Sequence, residues 1–83
     1  MYDYITKGVC SKKINFDIEN GKVIKVNFLG GCNGNLQGIS RLIEGMKVED
    51  AILKLKGIQC SGRPTSCPDQ LAQALEETQL KNA

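Results

Sequence analysis

The sequence predicts an α+β domain, in which a small antiparallel three-stranded sheet is followed by three helices packed on one face. Two patterns indicate this class. Apolar and polar residues alternate through the first third of the chain, and apolar residues recur at helical spacing afterwards. The length of 83 residues leaves room for one core only. We therefore expect residues 1–83 to form a single domain.

The first third of the chain is predicted to form strands. Residues 2–9 make the first strand, and residues 12–29 make an antiparallel hairpin around Asn20-Gly21, the dipeptide most typical of a two-residue hairpin turn. The alternating apolar residues are Ile14, Phe16 and Ile18 before the turn and Ile24, Val26 and Phe28 after it. The hairpin is therefore expected to have one apolar face.

Two helices are predicted in the middle of the chain. The first covers roughly residues 35–44 and ends at Gly45, since Leu36, Ile39, Leu42, Ile43 and Met46 fall at helical spacing. The second is shorter and stops at Gly57. Its apolar residues are Val48, Ala51, Ile52 and Leu55.

The third helix has the clearest start. Ser66 is a suitable N-cap, Pro68 lies in the first turn, and Asp69 follows the cap by three residues, as in a capping box. We interpret Asp69 as a cap, with a role beside the Cys67 sulfur as the alternative. The apolar side of this helix consists of Leu71, Ala72, Leu75 and Thr78.

Composition excludes several functional classes. The residues are 41% hydrophobic and 24% charged, which excludes disorder, and 11 basic against 9 acidic residues give a balance that does not predict nucleic-acid binding. With two Tyr, two Phe and no Trp, the chain cannot build a face of stacked aromatic residues for single strands. No apolar run is long enough to span a membrane and no secretory signal is evident, so we expect a cytoplasmic protein.

Four cysteines in a chain without histidine are the main chemical feature. Cys10 lies between the first strand and the hairpin, and Cys32 lies just past the hairpin. Cys60 follows the second helix, and Cys67 opens the third. In a reducing compartment, cysteines placed in connections indicate metal ligands or reactive thiols rather than disulfides.

Four thiolates match an all-cysteine zinc site or an iron–sulfur cluster. A metal that joined these four connections would also stabilise a small core. The Cys-x-x-Cys spacing of zinc knuckles is absent. Two alternatives therefore stay open: reactive thiols, chiefly Cys67, because a helix N-terminus favours the thiolate form, and inert structural cysteines.

The glycine-rich segment Gly30-Gly31-Cys32-Asn33-Gly34-Asn35 follows a strand and opens a helix, where phosphates often bind. It matches neither the dinucleotide-binding nor the Walker motif. We interpret it as a tight turn between strand and helix, with nucleotide phosphate binding as the alternative.

Thr65-Ser66-Cys67-Pro68-Asp69 spells the signature of the TSCPD domain, and the glycine-rich segment, Gly38-Ile39-Ser40 and Gly57-Ile58-x-Cys60 fit the same family. The chain resembles the short, stand-alone, four-cysteine form of that domain. A longer form is found near the C-terminus of adenosylcobalamin-dependent ribonucleotide reductases. The resemblance implies an accessory module linked to ribonucleoside-diphosphate reductase, nucleotide binding and DNA synthesis, with the cysteines as metal ligands. Ribonucleotide reduction itself needs a large barrel, which 83 residues cannot form.

The order of elements is also similar to the U-type iron–sulfur cluster scaffold proteins. Their three cysteines are matched by Cys10, Cys32 and Cys67, Ser66 stands in place of their histidine, and Cys60 is additional. The sequence thus predicts a metal-binding accessory domain, zinc preferred, with Cys10, Cys32, Cys60 and Cys67 as ligands. The alternative is an iron–sulfur scaffold or carrier. A ribonucleotide reductase or another protein is the expected partner, and a nucleotide is a second candidate.

Overall fold

The computed structural model describes residues 2–9, 11–31 and 33–81. Three strands come first: Tyr2–Ile5 (β1), Ser11–Glu19 (β2) and Lys22–Gly30 (β3). Three helices follow: Asn33–Ile43 (α1), Val48–Leu55 (α2) and Cys67–Lys81 (α3). The strands form one antiparallel sheet with β2 at its centre. The predicted α+β class and the order of its elements are confirmed.

One face of the sheet carries the core. The register aligns Tyr2, Phe16 and Val26 in one row, and Tyr4, Ile14 and Phe28 in the next. Side chains at these positions share a face. The helices cover this face with Ile43, Val48, Ala51, Ile52, Leu71, Ala74 and Leu75. None of the described helices has both the length and the apolar character needed to cross a bilayer.

The first strand is shorter than predicted, since β1 ends at Ile5 and not at residue 9. The Thr6 N–H still donates to the Lys12 carbonyl, but the Lys7 N–H leaves the sheet and donates to Oε1 of Gln70, 3.1 Å away. Gly8 then adopts a φ of 72°, which an extended strand cannot accommodate. The segment before Cys10 is therefore directed toward α3.

The hairpin is confirmed, but the apolar alternation on β3 is shifted. Asn20 and Gly21 have φ values of 53° and 75°, as a two-residue hairpin turn requires. The pairing is irregular between Asp17 and Ile18, so Val23 is fully buried while Ile24 is 44% exposed. The prediction that Ile24 faces the core is wrong, because a bulge inserts one residue into the strand.

The helical predictions hold with small differences. The α1 helix begins at Asn33, two residues earlier than predicted, and Leu42 is 79% exposed although it was assigned to the apolar stripe. Its neighbour Ile43 is buried. At 100° per residue the two side chains point in different directions, so only one of them can face the core. The third helix begins directly after Ser66, as predicted.

Candidate functional site at the start of the third helix

Ser66 fixes the first turn of α3. Its Oγ accepts the Asp69 N–H at 3.2 Å, and its carbonyl accepts the Gln70 N–H at 2.8 Å. The same hydroxyl donates to the Ile58 carbonyl at 2.6 Å. Ser66 is therefore an N-cap that also joins the helix to the preceding loop. Cys67, the first residue of α3, lies where the helix dipole favours negative charge.

The Asp69 carboxylate holds the loop of residues 57–66 against α3. Its Oδ1 accepts the Gly57 N–H at 2.7 Å, and its Oδ2 accepts the Thr65 hydroxyl at 2.5 Å and the Gln73 amide at 2.9 Å. This carboxylate therefore does more than the helix cap that the sequence predicted, because it binds both ends of the loop.

The pKa of Asp69 is lowered by these contacts. Burial alone would raise the pKa of this carboxyl. The hydrogen bonds from Thr65, Gly57 and Gln73, together with the Lys56 charge, outweigh burial and hold the pKa below its ordinary value of 3.8. Asp69 is thus an anion whose oxygen atoms are already occupied within the protein.

Gln70 attaches a second segment to the same place. Its Oε1 accepts the Lys7 N–H at 3.1 Å, while its Nε2 donates to the Thr65 hydroxyl at 3.0 Å. A Cβ atom at Gly8 would lie 3.6 Å from the Thr65 methyl group. Lys7 and Gly8 therefore lie against the start of α3.

Ser11 contacts the cysteine itself. Its Oγ lies 3.1 Å from the Sγ of Cys67, and Ser11 is only 3% exposed. Ser11 pairs with Gly30 in the sheet, and a Cβ atom at Gly31 would lie 3.2 Å from the Ser11 nitrogen. The start of β2, the end of β3 and the start of α3 therefore meet at one point.

The inward direction of Ser11 depends on an irregularity in β2. Ser11 and Ile14 are both buried although they are three positions apart, and strict alternation would place them on opposite faces. The register shifts between Ser11 and Lys13, and this irregularity turns the Ser11 side chain to the same buried side as Ile14. Sequence reasoning missed Ser11 as a site residue. The only signal was its position directly after Cys10.

The four predicted metal ligands have different outcomes. Cys10 and Cys32 lie outside the described residues. Cys67 is partly exposed and lies beside Ser11. Cys60 is exposed, and its own N–H donates to the Thr65 carbonyl at 3.2 Å. Within residues 2–9, 11–31 and 33–81, no three His, Cys, Asp or Glu side chains are grouped so that they could hold a metal ion. The convergence of the four sulfurs thus stays a prediction.

The fold and this site define a small α+β domain in which a cysteine at a helix N-terminus is surrounded by a hydrogen-bonded loop. The family model of the TSCPD domain matches residues 2–79, nearly the whole chain. The chain therefore belongs to the TSCPD domain family. Neither the curated proteins nor the solved structures include a significant match to it.

The geometry explains the five-residue signature. Thr65, Ser66 and Asp69 form the hydrogen bonds that hold the loop. Pro68 lacks an N–H at a position in the first turn, where that group has no partner within the helix. The Cys67 side chain contacts the sheet, at Ser11. The signature thus positions one thiol firmly.

Replacing Gly31 with alanine should disturb this meeting point. Gly31 has a φ of 82°, and the new Cβ would lie 2.9 Å from the Leu36 side chain as well as close to Ser11. We expect Gly31→Ala to lower the free energy of unfolding by about 2–3 kcal/mol, through backbone strain and overpacking. Urea denaturation measures this change.

Gly34→Ala is the matched control. Gly34 lies in α1, three residues further along, where a Cβ atom would meet nothing within 4 Å. Alanine is the better helix former, so this variant should be as stable as the parent or slightly more stable. Equal losses in the two variants would show that Gly31 is not closely packed against Ser11.

Proposed function

We propose that this domain binds one zinc ion through Cys10, Cys32, Cys60 and Cys67. The observation that carries the proposal is the 3.1 Å contact between Ser11 Oγ and Cys67 Sγ. This contact joins the Cys67 thiol to Ser11, the residue directly after Cys10, although Ser11 and Cys67 are 56 positions apart in sequence.

Peptide geometry extends this argument to two further cysteines. Cys10 directly precedes Ser11, the residue that contacts Cys67. Consecutive Cα atoms are only about 3.8 Å apart, so the step between them is short. Cys32 directly follows Gly31, where an added Cβ atom would lie 3.2 Å from the Ser11 nitrogen. Chain connectivity therefore supports the approach of both thiols to Cys67.

Cys60 is proposed as the fourth ligand. Its backbone is tied to Thr65, two residues before Cys67, and the loop that carries it is held to α3 by Asp69. Its side chain is exposed and forms no disulfide with any described residue.

The donor set fits zinc. Thiolates are preferred zinc ligands, and four of them complete a tetrahedral structural site. Ser11 has a hydroxyl that can donate to the Cys67 sulfur, the kind of outer contact that orients a ligand. Asp69 is not proposed as a ligand, because its two oxygen atoms already accept three hydrogen bonds.

We further propose that the domain is an accessory module of ribonucleotide reduction. This role rests on the family, whose longer form accompanies adenosylcobalamin-dependent reductases. The zinc ion would stabilise the fold, and the partner would be a reductase or another protein. A nucleotide is a second candidate ligand, which equilibrium dialysis with nucleoside diphosphates tests directly.

Elemental analysis and an absorption spectrum of protein purified anaerobically with a reductant test the metal proposal. We expect one zinc per chain and a colourless protein. A brown protein with charge-transfer absorption would replace zinc with an iron–sulfur cluster and favour a scaffold or carrier. Protein without a stoichiometric metal would overturn the proposal.

A further inference from the structure

The outer edge of β3 is only partly covered. β3 is an edge strand, and its beginning is closed by the segment that leads into α2. The Val23 N–H donates to the Met46 carbonyl at 2.8 Å, and the Val23 carbonyl accepts the Gly45 N–H at 2.6 Å. Further along, the Val26 N–H donates to the Glu44 carboxylate at 3.3 Å.

Strand alternation shows which groups follow on this edge. In an antiparallel strand, the N–H and C=O groups of every second residue point to the same side. Because the Val26 N–H points outward, both backbone groups of Phe28 and the N–H of Gly30 point outward as well. The Gly30 φ of 84° ends the extended alternation before its carbonyl. In the described part of the chain, no strand other than β2 pairs with this end of β3.

A cavity of about 520 Å³ lies beside this edge, within the range of about 300–1,000 Å³ that is typical of ligand clefts. We call it the β3–α1 groove. Its strand wall includes Val26, Phe28 and Gly30, and its helix wall includes Gln37, Arg41 and Glu44. The groove therefore combines an unfilled hydrogen-bonding edge with charged side chains.

The charge of the groove is uneven. Glu44 is already engaged by the Val26 N–H, whereas Arg41 is exposed and forms no ion pair with any described residue. A guanidinium group fits a carboxylate with two parallel hydrogen bonds. A ligand in this groove would therefore bind more tightly if it carried a carboxylate side chain that could pair with Arg41.

We propose that the β3–α1 groove binds an extended segment of a partner protein as a fourth strand. Its backbone pairs with both groups of Phe28 and with the Gly30 N–H, and an acidic side chain pairs with Arg41. Strand addition of this kind gives affinity through the backbone and selectivity through alternate side chains. The lining of the groove includes Gly31, the residue before Cys32 in the sequence. Binding does not require a metal.

A titration of the ¹⁵N-labelled chain tests this proposal. The probes are hexapeptides in which Val and Thr alternate and one Asp occupies each position in turn, with matched Asn peptides. We expect the Phe28 and Gly30 amide resonances to shift and saturate. Arg41→Gln should weaken the best Asp peptide by about fivefold, the effect of one exposed ion pair.

Three controls make the result decisive. Lys54→Gln removes the same charge from α2, outside the groove, and should leave peptide affinity unchanged. Arg41→Gln should also leave the affinity of the Asn peptide unchanged. Methylation of alternate peptide amides should abolish binding when the methylated set includes the amide that donates to the Phe28 carbonyl.

Three outcomes would overturn the proposal. One is the absence of shifts at Phe28 and Gly30 at millimolar peptide. Another is equal binding of methylated and unmethylated peptides. The third is a dimer in light scattering with Phe28 and Gly30 protected from hydrogen exchange, which would make a second copy of the chain the occupant.

Discussion

Cys67→Ser is expected to lower the affinity for zinc by more than about a hundredfold, beyond the ten- to hundredfold loss typical of removing an outer-shell partner. Cys67 follows the Ser66 cap and lies beside Ser11, so in the proposed site its sulfur would be the most firmly held ligand. Cys60→Ser should cost less, because Cys60 lies in an exposed turn. Competition with a chromophoric chelator measures both affinities.

Ser61→Ala is the control for Cys60→Ser, because it changes the neighbouring residue in the same exposed loop. It should bind zinc as the parent does. If Cys67→Ser kept its zinc and its fold but lost rapid alkylation, Cys67 would be a reactive thiol instead of a ligand.

Asp69→Ala is expected to lower the free energy of unfolding by about 3 kcal/mol. The substitution removes the acceptor of three part-buried hydrogen bonds, each of which contributes about 1 kcal/mol. Glu77→Ala, which removes an exposed carboxylate from the same helix, should change stability by no more than about 0.5 kcal/mol. Similar urea midpoints for the two variants would contradict the role of Asp69.

The same carboxylate predicts the direction of the pH dependence. Its pKa is lower in the folded protein than its ordinary value of 3.8. The unfolded chain therefore binds the proton more readily, and stability rises with pH in this range. The contribution is fully present above the unfolded pKa and is lost as the pH falls through the folded pKa. Urea denaturation from pH 7 to pH 2 should show this loss in the parent and a flatter profile in Asp69→Asn.

Local signals explain which parts of the fold were predictable. Asn20-Gly21 fixes a two-residue turn by its own backbone preference, and Ser66 caps a helix within three residues of itself. Both features were read correctly, because the residues that form them are neighbours in the sequence. The helices were predictable for the same reason, because their apolar residues recur three or four positions apart in the sequence.

The remaining features depend on distant residues. β1 ends early because Lys7 bonds to Gln70, 63 positions away. Ser11 turns inward, and Val23 replaces Ile24 in the core, because of two irregularities in the pairing of β2 with β3. Periodicity within one strand cannot reveal such shifts, since they arise between strands. Asp69 was likewise read as a local cap, although its main partners include Gly57, 12 positions earlier.

The ligand set of the proposed zinc ion tests the central claim most directly. X-ray absorption at the zinc edge, on protein purified with a reductant, should show four sulfur ligands at about 2.3 Å. Each Cys→Ser variant that retains zinc should then show three. Nitrogen or oxygen ligands in the parent, or fewer than four sulfurs around its zinc, would contradict a site built from Cys10, Cys32, Cys60 and Cys67.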